Sequence, residues 1–118
     1  MLYTNLKHIE TAADFSRIIS ENENVMIVCG RMGSFSIPVY RIAEELEPVF
    51  NQVKFFDMEF DNPESEIIRN LPEVQGFSGF PVTVYFKQGE VVKATVGTQT
   101  KEQVIEILEH EFAETVNA

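Results

Sequence analysis

The 118 residues fit a single domain, long enough to bury roughly two-thirds of the surface of the unfolded chain, and no composition shift or linker divides residues 1–118. Nineteen acidic against nine basic residues give a formal charge of -10, which repels nucleic acid phosphates and anionic lipid and sets both aside as partners. No run approaches the roughly 20 apolar residues of a membrane helix and the N-terminus has no secretion signal, so a cytoplasmic protein is expected.

A short strand is expected at Leu2 and Tyr3. Thr11, three residues before Asp14, resembles a helix cap, and Phe15, Ile18 and Ile19 then share one helical face as far as Asn22. Val25 to Cys29 is an uninterrupted apolar run between Asn24 and Gly30, as in a strand covered on both sides. From Ser34 to about Phe50, Phe35, Val39, Ile42, Ala43 and Leu46 recur at helical spacing, predicting a second helix capped by Ser34 with Phe35 toward the core.

Phe56, Met58 and Phe60 alternate with Asp57, Glu59 and Asp61, the pattern of a strand buried on one face. Asn62 and Pro63 open a short third helix that Leu71-Pro72 stops, and Gly76 and Gly79 mark a loop. Val82–Phe86 and Val91–Val96, joined by Lys87-Gln88-Gly89-Glu90, predict an antiparallel hairpin. Gly97 ends the second of these strands. Thr100 and Gln103 make a capping box for a last helix whose stripe is Val104, Ile107, Leu108 and Phe112, with Glu102, Glu106, Glu109, Glu111 and Glu114 as a solvated face. Helices between strands imply parallel pairing, so the order reads as an α/β domain with a terminal antiparallel pair.

The run Gly79-Phe80-Pro81-Val82-Thr83-Val84-Tyr85-Phe86-Lys87-Gln88-Gly89-Glu90, with Val96-Gly97 and the capped helix after it, resembles the C-terminal half of thioredoxin. Met58-Glu59-Phe60-Asp61-Asn62-Pro63 is similar to that family's third strand and the turn after it, and Pro38 falls where the family's long helix has a kinking proline. The resemblance covers the whole chain. It implies a three-layer α/β/α domain, a mixed central sheet flanked by four helices, and a cis-proline at Pro81. The family's Trp-Cys-Gly-Pro-Cys motif is absent, and Gly30-Arg31-Met32-Gly33-Ser34 stands in its place. Val28 occupies the position where the family often buries an aspartate, with Asp57 at that of its partner lysine, so the implied proton relay is missing too.

One cysteine, Cys29, rules out an intramolecular disulfide and any two-cysteine redox or zinc site. His8 and His110 lie apart, with no ligand at metal spacing, and no cofactor is expected. For Cys29 two readings stand open. It is a small buried hydrophobe, or the sole sulfur nucleophile of a single-cysteine thiol-disulfide oxidoreductase in cell redox homeostasis, which forms mixed disulfides resolved by an external thiol. The resemblance also implies that the residue before Pro81 offers its backbone to an extended peptide. The leading expectation is therefore a non-catalytic binding or chaperone-type module holding a protein or peptide at Met32, Gly33, Ser34, Phe77, Gly79, Phe80 and Pro81.

Overall fold

The computed structural model describes residues 2–113. Five strands, β1 (Lys7–Ile9), β2 (Asn24–Gly30), β3 (Lys54–Glu59), β4 (Val82–Lys87) and β5 (Glu90–Val96), form one sheet in the order β1-β3-β2-β4-β5. The pairs β1/β3 and β2/β3 are parallel, whereas β2/β4 and β4/β5 are antiparallel. Four helices complete three layers: α1 (Ala12–Glu21), α2 (Ile37–Leu46), α3 (Glu66–Arg69) and α4 (Lys101–Glu111).

Strand alternation divides the core in two. Val25, Ile27 and Cys29 of β2 pack toward Phe15 and Ile18 of α1 and Ile68 of α3. Met26 and Val28 pack on the opposite face with Val39, Tyr40 and Leu46 of α2 and Val104 and Leu108 of α4. This explains the unbroken apolar run of β2, a central strand with no wet face.

Local chemistry sets most boundaries. The Thr11 hydroxyl accepts the Asp14 N–H, and Asn62 caps the 3₁₀ turn Pro63–Ser65 that leads into α3. The capping box of Thr100 and Gln103 is complete. In the hairpin turn Gln88 and Gly89 both have positive φ, 52° and 81°, the left-handed pair that matches strand twist in a two-residue loop. Gly89 takes that conformation without the cost a side chain imposes.

Several expectations are corrected. The first strand lies at Lys7–Ile9 rather than Leu2 and Tyr3. Helix α2 begins at Ile37, with Ser36 in the N-cap position, so Ser34 is not its cap and Pro38 sits in its first turn, where its missing N–H breaks no helical bond. Phe35, ahead of the helix, is 63% exposed instead of facing the core. Strand β3 is buried on both faces from Phe55 to Met58, because it lies between β1 and β2 under helices on either side, and this takes Asp57 inside. Glu102, Glu106 and Glu109 are exposed and Glu111 half-buried; Glu114 lies outside the described residues.

Candidate functional site

Register builds the site. Pairing of β2 with β4 matches Asn24 to Lys87 and Cys29 to Val82, and continued past the strand ends it sets Gly30 beside Pro81 and Arg31 beside Phe80. Pairing of β2 with β3 matches Gly30 to Glu59, which sets Arg31 beside Phe60 on the other side. Three strand ends thus bring Phe60, Arg31 and Phe80 into a row. The Arg31 guanidinium lies over the Phe80 ring, 4.3 Å from its centroid, and 5.5 Å from that of Phe60. The two rings are themselves 5.5 Å apart. Asp61 fixes the guanidinium by a bidentate pair, accepting from Nε and Nη2 at 2.7 Å each. This fork suits arginine alone, since lysine offers a point charge.

Close packing lies directly below the row. A Cβ at Gly30 would stand 2.7 Å from the Ser36 hydroxyl, 2.7 Å from the Tyr40 hydroxyl and 3.0 Å from the Pro81 Cβ, so no other residue fits there without displacement. Ser36 is buried and its Oγ accepts the Arg31 N–H at 3.2 Å, which ties the start of the loop to the start of α2. The Phe80–Pro81 peptide is cis. Backbone pairing resumes one residue later, where Gly97 N–H donates to the Pro81 carbonyl at 2.9 Å, and no such bond among the described residues involves the N–H or C=O of Phe80.

Of the residues expected at a peptide site, Phe80 and Pro81 adjoin the end of β2. Met32 and Phe35 are both exposed, with Gly33 and Ser34 between them in the loop. Gly79 is exposed and precedes Phe80; Phe77 is half-buried and packs against the core face that holds Cys29. Cys29 itself has no exposed surface. Burial pushes its thiol up to about 12, against the smaller opposing pull of the Ser65 hydroxyl and the Arg69 guanidinium. A neutral, covered thiol is neither a nucleophile nor a ligand at physiological pH.

A second cluster escaped sequence reasoning. Asp57, fully buried in its side chain, accepts from the Thr4 hydroxyl and meets His8 Nδ1 at 2.6 Å, in a small cavity of about 110 Å³ also lined by Leu2, Glu10 and Glu59. Burial raises its carboxyl above the ordinary carboxylate value, while the Thr4 and His8 contacts pull it back down. His8 and Asp57 are 49 residues apart, and only the parallel register of β1 on β3, which pairs them directly, brings them together. Among the described residues no three His, Cys, Asp or Glu side chains converge as a metal site.

Matches of shape place this architecture. A Plasmodium falciparum thioredoxin superposes with a TM-score of 0.77 at 20% identity, covering 90% of this chain and 99% of that one. The fold is that of thioredoxin. Mitochondrial thioredoxin 3 of Saccharomyces cerevisiae in its oxidised form matches at 0.74 with 16% identity, over 89% of this chain and 94% of its own. Thioredoxin O2 of Arabidopsis thaliana matches at 0.71 with 14% identity, over 94% and 97%. No protein-family model matches the sequence, and no curated protein does. On this thioredoxin fold only one cysteine is present, and it is buried within β2.

Proposed function

We propose that this chain is a non-catalytic binding module of thioredoxin fold, which holds an extended peptide or a partner's strand along the Phe80–Pro81 edge with Met32, Gly33, Ser34, Phe77 and Gly79 around it. The observation that carries the reading is the backbone of Phe80. Among the described residues its N–H and C=O have no backbone partner, just ahead of β4, in the position where an added strand makes main-chain bonds. Exposed Met32 and Phe35, 39% and 63% accessible, supply apolar surface nearby. The Arg31–Phe80 stack gives that edge a rigid, planar flank.

The setting of Cys29 works against thiol exchange, because the attacking sulfur has to be exposed and ionised and this one is neither. The acidic charge of the chain favours protein partners over nucleic acid or membrane. Among the described residues no helix is long and apolar enough to cross a membrane, and a free cysteine suits the reducing cytoplasm we assign to the protein.

The test pairs purification of the complex from the protein's own cells with mutation of the edge. Phe80→Asp and Phe35→Asp are expected to weaken binding of the isolated partner at least tenfold, and the partner is expected to shift amide resonances of residues 31–35 and 77–81. Full binding by both variants would sink the placement. Insulin or glutathione mixed-disulfide reduction by the wild type, lost in Cys29→Ser, would instead establish the oxidoreductase reading.

A further inference from the structure

We propose that Met32 is an oxidation site at which a peroxide converts the thioether to the sulfoxide and thereby tightens the hold of the loop on the N-terminal segment. Three methionines lie among the described residues, and two of them, Met26 and Met58, have no exposed surface. Met32 is 39% exposed and sits two residues past the end of the central strand. Its Sδ accepts the backbone N–H of Tyr3 at 3.3 Å, a contact spanning 29 residues of sequence.

That bond joins two segments with separate anchors. Leu2 and Leu6 are buried in the core, and the Thr4 hydroxyl donates to Asp57, so the chain on both sides of Tyr3 is fixed. Arg31 is fixed by Asp61 and by the Ser36 hydroxyl. The thioether is the weak link between them, since sulfur is a poor acceptor for an amide N–H. A sulfur lone pair attacks one oxygen of hydrogen peroxide. The S–O bond forms as the O–O bond breaks, and the departing hydroxide takes up the remaining proton to leave as water. Sulfur loses two electrons, and the peroxide gains them. The product carries a strongly polar oxygen, a far better acceptor for the Tyr3 N–H, and a sulfoxide reductase with thiol reductant reverses the change. Cys29, three residues earlier, is protected by the same burial that keeps it neutral, so oxidant chemistry at this turn falls on the thioether.

The test needs no partner and is independent of the docking reading. Folded protein is treated with graded hydrogen peroxide, oxygen uptake is located by peptide mass mapping, and exchange of the Tyr3 amide with solvent is followed by NMR. The peptide holding Met32 is expected to gain one oxygen roughly tenfold or more faster than those holding Met26 and Met58, a difference that disappears in denaturant. Tyr3 exchange is expected to slow several-fold on oxidation, and Met32→Leu to show neither response. Equal rates for the three methionines in the folded protein, or a Tyr3 amide whose exchange is unchanged or faster after oxidation, would overturn the proposal.

Discussion

Strand β2 and the six residues after it make opposite use of neighbouring sequence. From Val25 to Gly30 every residue is buried, whereas Arg31 and Met32 are exposed, Gly33 is half-buried and Ser34 and Phe35 are exposed again before Ser36 returns inside. Sulfur sits on both sides of the boundary, at Cys29 and Met32. The contrast shows that residue type does not decide chemistry here; position relative to the strand end does. One bond further along the chain, a group passes from a dry, close-packed interior to a surface held by stacking and ion pairing.

The largest effect that would break this contrast concerns Cys29. Raising its thiol from the ordinary 9.0 to about 12 lowers the thiolate fraction near neutral pH about a thousandfold, so native protein should react with a disulfide reagent at least that much more slowly than denatured protein. Labelling of the folded chain at the denatured rate would place the sulfur outside the core. Next comes the boundary residue. Gly30→Ala drives a methyl into Ser36, Tyr40 and Pro81, and overpacking of this kind costs about 3 kcal/mol, read as a lower midpoint in urea unfolding. An unchanged midpoint would mean that the strand end is looser than its contacts indicate.

The smallest effect is one of pH. Burial raises the Asp57 carboxyl, so the folded state binds that proton more tightly than the unfolded state does. Its contribution to stability is full below the unfolded carboxylate value and is lost as pH rises through the higher folded value. Asp57→Asn keeps an amide in the place of the acid and should remove that loss. The variant is expected to gain stability relative to wild type between the acid range and neutrality, measured by urea unfolding at several pH values. A variant that falls behind wild type as pH rises would show that the Thr4 and His8 contacts outweigh burial.

Elements built from neighbouring residues were legible. The Thr100 and Gln103 box, the Gln88-Gly89 turn and the Asn62-Pro63 start depend on contacts within four residues, so their patterns can be read directly. Asp57 misled because alternation normally points a charged residue to water; here core packs on both faces of β3, with Phe55 on one side and Phe56 and Met58 on the other, so neither face is left to solvent. Phe35 misled because a helical period does not say where the first turn begins. The row Phe60–Arg31–Phe80 joins three distant stretches and exists only through register, so no local pattern announces it. Met32 and Phe80 were visible as candidates, whereas the Asp61 fork that orders Arg31 was not.

Residues 60, 31 and 80 lie past the last ladder pairs of the sheet yet are positioned by them. They are therefore aligned by hydrogen bonds in which their own side chains take no part. Such a row is a fitting on a constant frame: exchanging its side chains alters the surface at this end of the sheet and the packing under Phe60, while every ladder pair keeps its neighbour. On this domain, the order of the strands and the character of the surface at their ends are separate mutational problems.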